Sequence, residues 1–164
     1  MNFPRTTFCV AALSALLALG ACSMPAPMGD GMPDRSTGNT GSTGSSAAMG
    51  ARLSGAEEVP ANNSAGRGMA DIALNRQTNV LTWTVTYSGV SSPVTAGHFH
   101  GPALAGQNAG VVLPFSGSMA SPISGSATLT AAQVADLSAG KWYVNLHTAA
   151  NPGGELRGQV TGRP

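Results

Sequence analysis

Three histidines are the only imidazoles in the 164-residue chain, and two of them stand in His98-Phe99-His100. On an extended strand, residues i and i+2 share a face about 6.5 Å apart. His98 and His100 therefore look the same way, with Phe99 turned to a core. The third, His147, closes the run Trp142-Tyr143-Val144-Asn145-Leu146. Alternation there puts Trp142, Val144 and Leu146 on an apolar face, and His147 with Tyr143 and Asn145 on a polar one. If the two segments lie side by side, three neutral imidazoles converge, a donor set suited to Zn²⁺ or Cu²⁺. The sequence thus names His98, His100 and His147 as candidate metal ligands, with copper or zinc as the ion. The plainer alternative is a wet strand face on which Thr and Asn satisfy the rings.

Little else points to catalysis, and no enzyme activity is expected. No Gly-x-Ser-x-Gly elbow precedes a helix, and no phosphate-cradling glycine loop opens one. Glu57-Glu58 offers acid–base carboxylates but reads more simply as a solvated strand end. Asp71 and Asp136 have no evident partner. Glu155 and Arg157 share a strand face and read as a surface ion pair, worth under about 1 kcal/mol. Eight basic and seven acidic residues leave a net charge of +1. No basic excess exists to hold a phosphate backbone, so nucleic acid is not an expected partner.

The elements that must position these side chains are short strands. Charged residues make up 9% of the chain and aromatic ones 5%, against 22 Gly and 11 Pro. A helical bundle needs charged outer faces, so this composition favours strands joined by turns. Strands are predicted at 52–59, 68–74, 80–88, 94–100, 111–115, 123–129, 141–147 and 155–161. The clearest is 80–88, where Leu81, Trp83, Val85 and Tyr87 face one way and Thr82, Thr84, Thr86 and Ser88 the other. Thr130-Ala131-Ala132-Gln133 has the form of a capping box opening a short helix through Leu137. The expectation for residues 51–164 is an all-β domain, an antiparallel Greek-key β-sandwich of about eight strands with one short helix.

Ahead of that domain, Arg5 and a run of about 12 apolar residues form the n- and h-regions of a secretory signal, too short to span a bilayer. Leu19-Gly20-Ala21-Cys22 resembles the lipobox of bacterial lipoproteins. That implies removal of residues 1–21, lipidation of Cys22 and a membrane partner through the anchor. Several acyl chains hold firmly, and Ser23 after the acylated residue favours the outer membrane of the cell envelope. Ordinary cleavage, leaving Cys22 a free thiol, is the alternative. Residues 22–50 lack apolar periodicity and read as a disordered tether. Its Met24, Met28, Met32 and Met49 are either spacer residues or soft ligands that suit Cu(I).

Three motifs then carry a family pattern. They are Leu53-Ser54-Gly55-Ala56-Glu57-Glu58-Val59-Pro60, Thr95-Ala96-Gly97-His98-Phe99-His100-Gly101-Pro102-Ala103, and the stretch from Tyr143-Val144-Asn145-Leu146-His147 through Asn151-Pro152-Gly153-Gly154-Glu155-Leu156-Arg157-Gly158-Gln159. In this order they resemble the CHRD domain, named from the chordin proteins and widespread in bacterial secreted and membrane-anchored proteins, over about residues 51–161. The other chordin modules are absent, so the resemblance implies a domain without implying growth-factor binding. The order of the His motifs is also similar to copper/zinc superoxide dismutase, which uses four copper-binding His where this chain has three. The expected function is metal binding by an anchored envelope protein. One alternative is a metal-free structural or adhesive module, whose loops 101–110 and 148–154 bind a protein or glycan. The other is a copper-dependent redox enzyme.

Overall fold

The computed structural model describes residues 45–163. The signal at 1–21, the lipidation position Cys22 and the tether through residue 44 lie outside the described residues. Nine strands follow in order: β1 (Ser46–Ser54), β2 (Arg67–Asn75), β3 (Val80–Ser88), β4 (Val94–His100), β5 (Val111–Pro114), β6 (Ile123–Thr128), β7 (Tyr143–Thr148), β8 (Leu156–Gln159) and β9 (Thr161–Gly162). A 3-10 turn, Gly55–Glu57, follows β1, and one helix, α1 (Ala131–Ser138), precedes β7. The all-β reading with a single short helix holds. No helix among the described residues is long and apolar enough to cross a membrane.

The first strand differs from expectation. It begins at Ser46, inside the stretch assigned to the tether, and ends at Ser54, where the backbone tightens into the 3-10 turn. Met49, Ala51 and Leu53 alternate inward and are buried. The small residues around Met49 carry little local signal, and pairing of all nine β1 residues with β2 decides their state. Met49 is thus a core residue, not a candidate copper ligand.

Elsewhere local chemistry sets the elements. Leu81, Trp83 and Val85 are buried while Thr82 and Thr86 are exposed. Asn75 Oδ1 accepts from the backbone N–H of Gln77 and Thr78 and closes the β2–β3 turn. Thr130 and Gln133 form the reciprocal capping box of α1. Asp136, expected to be unpaired, meets Lys141 at 3.6 Å, and Asp71 pairs with Arg163.

The strands lie in one continuous sheet, ordered β5-β4-β7-β8-β1-β2-β3-β6, with β9 on β1 and every pairing antiparallel. The sheet curls until its distant strands meet. Trp83 of β3 packs on Phe99 of β4 and on Phe115, with ring centroids 5.4 Å apart in each case. This curl encloses one core. Where β8 meets β1, only Ser54 and Arg157 are paired. Gly158 faces the β1 backbone there, and an added Cβ would lie 2.7 Å from the Arg52 carbonyl carbon. Backbone cannot swing aside as a side chain can. Gly158→Ala is expected to cost about 2–3 kcal/mol, measured as a lower midpoint in urea unfolding at unchanged slope.

Candidate metal centre

β4 presents His98 and His100 on its outer face, with Phe99 wholly buried on the inner one. β7 runs antiparallel beside it, pairing Ala96 with His147 and His98 with Asn145. His147 is therefore diagonal to His98, a position from which cross-strand side chains touch. Against β5 the register slips between Phe99 and His100, a bulge of the kind that re-aims a side chain. The three rings close into a triangle. Centroids are 5.0 Å apart for His98 and His147, 5.5 Å for His98 and His100, and 6.4 Å for His100 and His147. One nitrogen from each ring lies within 4.8 Å of the others.

Hydrogen bonding fixes which nitrogens remain. His100 Nδ1 sits 3.0 Å from the Ala109 carbonyl oxygen, and His147 Nδ1 sits 2.9 Å from that of Pro152. A carbonyl only accepts, so each Nδ1 carries the proton and each Nε2 keeps a lone pair. Both Nε2 atoms and His98 Nδ1 are buried without a hydrogen-bond partner among the described residues. Burial, reinforced by the neighbouring rings, holds His98 and His100 below the ordinary imidazole range, so both are neutral at pH 7. Nitrogens around a tetrahedral zinc lie about 3.3 Å apart, closer than the 4.8 Å within which these three lie.

The walls are polar and buried. His100 stacks on Tyr143 at 4.8 Å with an interplanar angle of 4°. The Arg157 guanidinium lies 3.6 Å from the same ring's centroid, so Tyr143 is held between them. Arg157 donates to Asn108 Oδ1 at 2.8 Å and to the Gln107 carbonyl at 2.6 Å. The Tyr143 hydroxyl accepts from Ala109 N–H and lies within donating distance of its carbonyl. These contacts pin loop 107–109 where its carbonyl meets His100.

Glu58 reaches the same place from the end of the 3-10 turn. It shares a cleft of about 190 Å³ with His100, His147, Tyr143 and Asn145. Asn145 Nδ2 donates to Glu58 Oε1 and to the Leu156 carbonyl. Burial pushes the Glu58 carboxyl above its usual range, against the pull of Asn145 and Arg157.

Two expectations are corrected. Tyr143 and Asn145 lie on the polar face of β7 as alternation requires, but that face is covered, leaving them 3% and 4% exposed. Glu155 and Arg157 share a face, yet they are buried and make no salt bridge among the described residues. Arg157 turns to the loop and Tyr143. Glu155 accepts from Ser64, Ser91, Thr148 and Asn151, tying the loops outside β7 and β8 together. The available signal was scarcity: in a chain 9% charged, an acid and a base flanking Leu156 in a strand are conspicuous.

Fold and site together define an all-β domain of one curled antiparallel sheet with a three-imidazole cluster on its covered outer face. The family model for the CHRD domain matches residues 49–160, and the chain belongs to that family. No curated protein and no solved structure matches the chain.

Proposed function

We propose that this is a lipid-anchored envelope protein whose CHRD domain binds one transition-metal ion, copper or zinc, through His98, His100 and His147. The observations that carry the reading are the convergence of one ring nitrogen each from His98, His100 and His147 within 4.8 Å and the three buried ring nitrogens, His98 Nδ1, His100 Nε2 and His147 Nε2, that have no hydrogen-bond partner among the described residues. An unsatisfied buried polar atom costs about 1–3 kcal/mol, and a cation that takes all three lone pairs removes that cost. The Nδ1–carbonyl contacts are the outer partners that orient metal-binding imidazoles. For such nitrogen donors, Cu²⁺ binds more tightly than Zn²⁺. Support for the anchor is the sequence around Cys22. The protein is read as an ion-binding protein and not as an enzyme.

Calorimetric titration of the metal-free protein tests the reading. One Cu²⁺ per chain is expected, with Zn²⁺ at the same site more weakly. Absence of stoichiometric binding by either ion overturns it. A melting temperature unmoved by chelation would favour a metal-free interaction module instead. Loops 101–110 and 148–154, its candidate contact surfaces, already turn the Ala109 and Pro152 carbonyls inward to the rings.

Tyr143→Phe removes the hydroxyl that holds Ala109 while keeping the ring under His100. Loss of an outer partner typically costs 10–100-fold in metal affinity. This variant acts through one further atom, so a loss of about tenfold in Cu²⁺ affinity is expected, at near-wild-type melting temperature.

A further inference from the structure

We infer that the ion's fourth position faces Glu58 and holds an exchangeable water, and that the Glu58 carboxylate disfavours anions there. The inference rests on the three-His reading and adds what that centre takes as a ligand. Among the described residues, the cluster contains three ligating side chains and no fourth. Three protein ligands on a tetrahedral ion leave one position for solvent or another small ligand. The cleft of about 190 Å³ that includes His100 and His147 also includes Glu58, with room for more than one water.

The Glu58 carboxyl is placed there by design of its surroundings. Asn145 holds its Oε1. Asn145 and His147 are i, i+2 on the covered face of β7, so Glu58 is anchored one pleat from a proposed ligand. Its carboxyl also takes a backbone hydrogen bond from Val59. Gly154 leaves the space: a Cβ at that position would lie 2.7 Å from Glu58 Oε1 and 2.9 Å from Asn145 Nδ2. The backbone φ of Gly154 is +131°, a conformation open to glycine and rarely to other residues. The carboxylate accepts a hydrogen bond from a neutral, proton-donating ligand such as water. It repels an anion that competes for the same position. The site therefore selects small neutral proton donors over anions.

The test uses the full protein loaded with Cu²⁺. Water-proton relaxation of the wild type is expected to rise through exchange of the bound water. Azide, followed by its charge-transfer absorption, is expected to bind weakly. Glu58→Gln should bind azide about tenfold more tightly, while Glu58→Asp, which keeps the charge, stays near wild type. Thermal melts confirm that the variants fold. If Glu58→Gln does not fold, the wild-type relaxation measurement alone decides. No relaxation enhancement, or equal azide affinity in wild type and Glu58→Gln, overturns the inference and leaves the three-His reading standing. Failure of the wild type to take up Cu²⁺ overturns the three-His reading itself.

Discussion

His147→Ala is expected to weaken Cu²⁺ binding more than 100-fold while leaving the domain folded. His147 is the member of the triad contributed by a second strand, so its loss reduces the site to two neighbours on β4. Removal of an outer partner alone reaches about 100-fold, and a direct donor matters more. Stability should change little, because the deleted ring takes with it an unpartnered Nε2 and a single hydrogen bond to Pro152. Competition of the variant and wild type against a chromogenic chelator reads the affinity, and circular dichroism reads the fold. Retention of wild-type affinity with His147 absent would sink the three-His centre, since His98 and His100 alone would then account for all binding.

Glu155 carries the largest expected stability effect. Its side chain is 0% exposed. Five donors converge on it: Ser64 Oγ at 2.7 Å, Ser91 N at 2.7 Å, Ser91 Oγ at 2.6 Å, Thr148 Oγ1 at 2.5 Å and Asn151 Nδ2 at 3.1 Å. Burial pushes the carboxyl up, but the hydrogen bonds from Ser91, Thr148 and Ser64 outweigh it and hold the group at about 2. Glu155→Ala strands those donors in a covered site and is expected to cost about 4 kcal/mol, a fall in melting temperature of roughly 15 °C. The sign with pH follows from the depressed value. A carboxyl at about 2 in the folded state and 4.5 when free contributes stability that is present above pH 4.5. That stability is lost as pH falls toward 2, about 3 kcal/mol in all. Glu155→Gln, which does not titrate, should flatten this acid-side slope. An identical slope in wild type and Glu155→Gln would show that other groups control acid unfolding.

These two residues show how differently a sequence exposes its contents. The facing of His147 was legible, because facing follows from a period of two along a strand. Glu155 was equally legible as to face, yet its meaning reversed: the face expected to be wet is roofed by loops drawn from residues 62–64, 91, 107–109 and 149–154. Burial of an acid is invisible locally when three of its five donors, on Ser91 and Ser64, lie 64 and 91 residues away in the chain. Glu58 shows the intermediate case. It was noted as a carboxylate of use for acid–base chemistry and read as a solvated end, whereas the turn after β1 delivers it to Asn145.

The sequence by itself determined the strands β2 to β7, the capping box at Thr130, the shared outlook of His98 and His100, and the family pattern that spans the domain. Each of these is written in near neighbours or in fixed spacing. Only the tertiary structure decided that β4 and β7 are adjacent, that Ala96 and not another residue stands opposite His147, and that the sheet is one curled surface. It also moved the first strand back to Ser46 and turned Met49 inward. The reason is that strand pairing joins residues far apart in the chain, and a slip of one residue reverses every facing. Alternation can say where an imidazole points, while the partner it points toward is chosen by the packing of the whole sheet.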